Sequence, residues 1–235
     1  MTALKILSGG AAQGLVASLA PKFKALTGLE IEGEFGAVGA MAEKLRNGMP
    51  TDILILTARM ISDLAGENLV IRPSIADIGL VETAMAVRAG DSLVTANDAP
   101  ALRDALLAAD AIFVPDTEAS TAGIHVAKVL KQLGIADAVA ARLKIFPNGA
   151  IAMRHLAASD AIRPIGCTQS TEIISTEGVV LSGSLPPGCE LSSVYTAAVT
   201  TGAVNARQAK DLIDLLIGAD QRELRERAGF LSGQK

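Results

Sequence analysis

A chain of 235 residues, half hydrophobic and one-fifth charged, has ordinary globular composition; at roughly 100–200 residues per domain it forms one large domain or two small ones. With 21 basic and 25 acidic residues, a net charge of −4 and no run of like charge, it lacks the electrostatic footprint of a nucleic-acid binder. Five Phe, one Tyr and no Trp leave too few rings for stacking platforms or aromatic cages, so any ligand is small and held by polar groups.

Short apolar runs alternate with longer helical patterns from the start. Lys5–Ser8 reads as a strand, followed by Gly9-Gly10 and a helix over Ala11–Thr27 with apolar residues at Leu15, Leu19, Phe23 and Leu26. Gly28 closes that helix as a C-terminal glycine. A second strand covers Leu29–Glu34, a second helix Ala40–Asn47, and Asp52–Leu56 is a third strand, apolar throughout after Asp52, of the kind buried on both faces of a parallel sheet. A second unit begins near Glu82, with strands at Ala84–Val87 and Ala111–Val114 around a helix at Ala99–Ala108. The polar turn Asp116–Ser120 leads into a helix over Gly123–Leu133. Then follow a strand at Lys144–Phe146, a helix at Ala150–Ala158 and a strand at Ala161–Gly166. Past Pro186-Pro187-Gly188 the pattern gives a strand near Val194–Val199 and closing helices at Ala206–Ile217 and Gln221–Ala228. The class is α/β, and two lobes without a floppy linker imply a hinged pair with a cleft between them.

Cys167 and Cys189 form no disulfide framework or zinc signature, and His125 and His155 have no helical pairing to each other. All four read as buried thiols and satisfied imidazoles, with no metal and no cofactor expected. Met1-Thr2-Ala3 runs straight into the strand Leu4–Leu7 without a leader pattern. As written the chain therefore reads as cytoplasmic, and as periplasmic if a leader was exchanged for a starting Met. The longest uncharged stretch, Leu191–Ala206, is too polar and too short to span a bilayer, so direct membrane insertion is not expected. Nothing in the sequence sets an oligomeric state.

Glycine-rich turns carry the chemistry. Ser8-Gly9-Gly10-Ala11-Ala12-Gln13-Gly14 follows a strand and opens a helix. Ala11 occupies the second glycine position of a dinucleotide fingerprint, and Leu15-Val16 stand where a P-loop has Lys-Ser/Thr, so no nucleotide is expected. Such a turn still directs free N–H groups at an incoming anion, or serves as a plain capping turn. Phe35-Gly36-Ala37-Val38-Gly39, Glu118-Ala119-Ser120-Thr121-Ala122-Gly123 and Pro147-Asn148-Gly149 share the design. Four helix starts at strand ends, two per lobe, point to a bound anion.

The run from Lys5 to Leu69, with A-x-x-F-x-x-x-T-G, E-F-G-x-x-G-A-M and P-T-D-I-L-I, resembles type II periplasmic solute-binding proteins. Within that superfamily the closer resemblance is to the molybdate-binding, oxyanion branch of ABC transporter substrate-binding proteins. It continues through Thr121–Gly123, L-P-P-G, Tyr195–Val199 and the closing R-E-L-R-E-R-A-G-F. The resemblance implies lobes of 1–80 plus 195–235 and 81–194, a ligand between them and a membrane permease that receives it. It also maps departures. Hydroxyl positions of the oxyanion branch read Gly10 and Ala37-Val38 here, and a tyrosine position reads Cys167. The remaining polar set, Ser8, Gln13, Thr57, Arg59, Ser120, Thr121, Asn148, Thr168 and Gln169, with the backbone of Gly9, suits a carboxylate-bearing metabolite as well as an oxyanion. A second reading stays open, because some relatives resemble isomerases of unsaturated polycarboxylates of the aconitate kind. Proton transfer beside a carboxylate needs a base, for which the candidates are Cys167, His125 and Glu118.

Overall fold

The computed structural model describes residues 3–232; Met1 and Thr2, on which the leader reading turns, lie outside them. Contacts divide the chain into two units, one of residues up to Val81 together with those from Ser193 on, the other Glu82–Ser192. Among the described residues no helix is long and apolar enough to cross a membrane.

In the first unit β1 (Ala3–Gly9) leads through a short 3-10 turn into α1 (Gln13–Thr27). Leu15, Leu19 and Phe23, one turn apart, are buried, and Gly28 ends the helix at φ 75°, a left-handed conformation that favours glycine. β2 (Glu30–Gly36) lies at the sheet edge, where Glu30, Glu32 and Glu34 pair with Lys24, Lys5 and Lys44, a charge pattern that discourages further strand pairing. α2 (Val38–Arg46), β3 (Ile53–Thr57) and α3 (Ala58–Gly66) follow. Ile53 to Leu56 are fully buried because β3 is flanked by β1 on one side and β9 (Ser192–Val199) on the other. β1 is parallel to β2 and β3, and β9 runs antiparallel, giving the order β2-β1-β3-β9. The buried Asp52 carboxylate ties three segments together. It accepts from the Lys5, Val204 and Asn205 backbone N–H groups and from the Asn205 side chain. Burial pushes this carboxyl up, but those donors outweigh burial and hold it below the ordinary carboxylate range.

The second unit takes the later part of β4 (Ala76–Arg88), then α4 (Ala99–Ala108), β5 (Ala111–Pro115), α5 (Thr121–Gln132) and α6 (Ala136–Val139). β6 (Leu143–Phe146), α7 (Gly149–Ala157), β7 (Pro164–Gln169), α8 (Ser170–Ile174) and β8 (Val179–Ser184) complete it. β5 is parallel to β6 and β7, β4 is antiparallel to β7 and β8, and the order is β8-β4-β7-β5-β6. Back in the first unit, α9 (Ala206–Ile217) packs Ala209, Leu212, Ile213 and Leu216 inward, and α10 (Arg222–Arg227) precedes a bridge from Leu231 to Leu80.

Five elements were not expected from the sequence: α3, α6, α8, β8 and the first half of β4. α3 follows β3 with no intervening loop, and the expected third strand ended before it. β8 (VVLSGS) is largely solvent-accessible and carries Ser and Gly, so it lacks the apolar alternation of a half-buried strand. The strand expected at Ala161–Gly166 lies instead at Pro164–Gln169, because exposed Ile162 and Arg163 belong to the preceding loop. The helix expected from Ala11 begins as the 3-10 turn and becomes α-helical at Gln13.

Candidate functional site

In the first unit the register pairs Gly9 with Gly36 and Ser8 with Ile55, so the parallel strands β1, β2 and β3 end along one edge. From that edge start α1 with its leading turn, α2 and α3, and none of these starts carries a side-chain cap. Helix starts of this kind leave backbone N–H groups available to an anion, which the helix dipole also favours. Small residues line it: Gly9 and Gly10 are buried, as are Ala37 and Val38. A Cβ on Gly9 would come within 2.9 Å of the Tyr195 ring and 3.3 Å of Val38, so glycine lets Tyr195, buried and opposite Thr57 on β9, pack against this turn. Ser8 is fully buried and donates its hydroxyl to the Gly9 carbonyl at 2.9 Å. Thr57 is half-buried at the start of α3, Arg59 is exposed with no ion pair among the described residues, and Gln13 is exposed on α1.

The second unit repeats the plan with a different filling. β5, β6 and β7 are parallel and end together, Pro115 opposite Phe146 and Phe113 opposite Gly166. α5 starts after Ser120, which is buried and makes no side-chain cap, and Thr121 is half-buried. The turn before it is shaped by Asp116, whose carboxylate accepts from the Glu118 and Ala119 N–H groups at 2.7 and 2.8 Å.

α7 is closed from within. The Asn148 side chain accepts from the Ile151 N–H at 2.9 Å, and the buried Glu172 carboxylate is met by the Gly149 and Ala150 amides. Thr168 donates to that carboxylate at 2.6 Å and the Gln169 N–H adds another donor. Burial pushes the Glu172 carboxyl up, with these donors acting against it. A Cβ on Gly149 would fall 2.0 Å from Glu172 Oε2 and 2.1 Å from Thr168 Oγ1, so only glycine allows the approach. The Pro147-Asn148-Gly149 turn, expected to face a ligand, thus already holds a carboxyl group of the protein's own. Thr168 is engaged with it, and Asn148 with the Ile151 N–H.

The three candidate bases are dispersed in character. Cys167 sits in the apolar core of the second unit, and burial pushes its thiol up to about 12, which keeps it protonated at neutral pH. His125 places Nε2 at 2.8 Å from the Cys189 carbonyl; a carbonyl only accepts, so that nitrogen carries the proton. Glu118 is exposed. His155, set aside in the sequence, stacks on Phe146 with ring centroids 4.4 Å apart.

Four residues escaped the sequence reading: Tyr195, Glu172, Thr83 and Thr171. The polar run Thr168–Glu172 directly after an apolar strand was the available signal for two of them. Among the described residues no cluster of His, Cys, Asp and Glu is arranged to hold a metal ion.

Two α/β units, each with parallel strands whose ends launch helices, give the type II periplasmic-binding-protein architecture, a fold class built around small ligands. The chain belongs to the bacterial extracellular solute-binding protein family, whose pattern matches residues 4–231. It is 22% identical over 239 aligned positions to an aconitate isomerase from a Pseudomonas species, covering 98% of this chain and 88% of that one. It is 25% identical over 223 positions to the molybdate-binding protein ModA of Escherichia coli, covering 90% and 82%. Its fold matches the periplasmic molybdate-binding protein of Azotobacter vinelandii with a TM-score of 0.81 at 19% identity, covering 98% of this chain and all (100%) of that one.

Proposed function

We propose that this protein captures a small anion as the solute-binding component of an ABC importer, with a membrane permease as the partner that receives the ligand. The observation that carries this reading is the set of uncapped helix starts that each unit carries at its strand ends, α1, α2 and α3 in the first and, taken by itself, α5 in the second. Hydrogen bonds from N–H groups to a charged acceptor contribute about 1.5–3 kcal/mol each, so a few of them hold an anion without a formal cation. The likeness to a molybdate-binding protein supports an anionic solute.

The ligand is a carboxylate-bearing metabolite in this reading. Gly10, Ala37 and Val38 bring no hydroxyl to the first edge, whereas the exposed Arg59 guanidinium offers a planar fork that fits a carboxylate. Titration calorimetry with molybdate, sulfate and a series of di- and tricarboxylates tests it. Saturable binding of a carboxylate, weakened about tenfold in Ser120→Ala or Thr121→Ala without loss of folding, is the expected result. Unchanged affinity in both variants removes the α5 start from the site.

A second reading, isomerisation of an unsaturated polycarboxylate, is favoured by the likeness to aconitate isomerase. Ultraviolet absorbance of cis- or trans-aconitate mixed with the protein separates the two readings: turnover supports the isomerase, and a melting-temperature shift without turnover supports capture.

A further inference from the structure

Resting on anion capture, we propose that Thr83, Gln169 and Thr171 form a ligand-reading subsite inside the second unit. It selects a hydroxycarboxylate, an anion with a hydrogen-bond donor of its own, over anions that only accept.

Thr83 on β4 lies directly opposite Gln169 at the end of β7, and Thr171 follows two residues later on α8. Directly opposed residues of an antiparallel pair project to the same side of the sheet. All three are nearly inaccessible, at 1%, 3% and 3% exposure. Four of their atoms, Thr83 Oγ1, Gln169 Nε2, Gln169 Oε1 and Thr171 Oγ1, have no hydrogen-bond partner, not even one another. Their neighbours behave differently: Thr168 donates to Glu172 at 2.6 Å, and the Glu172 carboxylate collects amides from α7. Buried polar side chains are normally paired, because an unmade hydrogen bond in the interior carries the full desolvation penalty. Concentrating four such atoms within one strand pair and the adjoining turn marks a place where a guest completes the bonding.

The atom types define the guest. Nε2 and the two hydroxyls can donate to carboxylate oxygens, but Oε1 of Gln169 can only accept. Exchanging the two ends of the amide changes nothing, since both are unpartnered. Sulfate and molybdate at neutral pH are acceptors throughout and would leave one buried acceptor unpaired. A site built to bond a hydroxyl rejects the analogue that lacks it far more strongly than an apolar pocket rejects an extra one. A hydroxyl next to a carboxylate supplies both characters in one small molecule.

Calorimetry on the full chain with matched pairs tests this: malate against succinate, lactate against propionate, and hydrogen phosphate against sulfate. The expected result is at least tenfold tighter binding of the hydroxy acid in one of the first two pairs. Gln169→Met, similar in length and without polar ends, should bring that ratio within twofold, weakening the hydroxy acid, which loses a donor and an acceptor, more than its donor-free partner, which loses the Nε2 donor alone. Thr83→Val and Thr171→Val should each weaken the hydroxy acid three- to tenfold, and they decide the matter if Gln169→Met does not fold. Equal affinities within both carboxylate pairs, or a preference that survives Gln169→Met, overturns the subsite. A preference confined to hydrogen phosphate over sulfate assigns the donor to a protonated phosphate and overturns the hydroxycarboxylate. A higher melting temperature in Gln169→Met with every affinity unchanged means that only water fills the space, and also overturns it. Tight sulfate or molybdate binding with no donor preference sinks the subsite and leaves anion capture standing. Failure of every anion to bind sinks both.

Discussion

The two units end their parallel strands in the same way and treat the resulting helix starts in opposite ways. In the first, α1, α2 and α3 begin without a side-chain cap, beside Gly9, Gly10, Ala37 and Val38. In the second, α7 is closed by Asn148 and by the Glu172 carboxylate, and α5 alone of its two long strand-edge helices begins uncapped. One fold plan therefore yields an edge that offers backbone donors indiscriminately and an edge furnished with its own polar side chains. A helix N-terminus on a strand end is not by itself a binding site; what matters is whether the chain has already supplied an acceptor for its amides.

The sharpest way to break the contrast is Gly149→Ala. Its Cβ cannot coexist with Glu172 and Thr168 at 2.0 and 2.1 Å, so the internal cap must open. A loss of about 3 kcal/mol in urea unfolding is expected, from overpacking plus a buried carboxylate deprived of donors. The same alanine at Gly66, with open space around it, has no comparable clash.

Next in size is Asp52→Asn, which replaces an acceptor for four donors and should cost about 2 kcal/mol at neutral pH. Asp52 and Glu172 also set opposite pH dependences. The folded-state depression at Asp52 gives stability present above the ordinary Asp range, about pH 4, and lost as pH falls through the lower folded value. The elevation at Glu172 gives stability present below the ordinary Glu range and lost as pH rises through the higher folded value. Urea midpoints from pH 3 to 7 should show the wild-type advantage over Asp52→Asn shrinking toward acid. The difference between wild type and Glu172→Gln should move in wild type's favour in that direction.

Ala37→Asp would make the first unit resemble the second. Ala37 precedes α2 in an extended conformation with no capping side chain, so an aspartate there can cap it. Stability should rise by about 1 kcal/mol while anion affinity falls about tenfold, the new carboxylate competing for the same amides. A gain in stability with unchanged affinity would take α2 out of the site.

The smallest effect is expected at Cys167→Ala. Trimming a thiol in the second core should cost about 1 kcal/mol and leave ligand affinity untouched. A large change in binding would return Cys167 to the site.

Much of the fold was legible because the chain alternates its periods clearly. Wholly apolar Ile53–Leu56 could only be a strand buried on both faces, and Leu15, Leu19 and Phe23 could only be one face of a helix. The turns at Gly9, Gly36 and Ser120 were visible as small-residue breaks before helices. What the sequence concealed was pairing across long separations. Glu172 has no visible role in the sequence until Gly149 is brought to it from more than twenty residues away. Thr83 acquires meaning only from its register with Gln169. Cys167 read as a buried thiol with a base as the alternative, and its apolar surroundings, contributed by β4, α4, β5, α5 and α6, come from residues scattered over more than fifty positions that no local motif brings together.

The carboxylate lodged at the start of α7 has a practical corollary. Truncating Glu172 to alanine would leave a vacated niche ringed by the amides of Gly149, Ala150 and Gln169 and the Thr168 hydroxyl. Formate or acetate added to such a variant would have a ready-made berth, so chemical rescue of its lost stability by these ions would turn a structural strut into a second, engineered receptor.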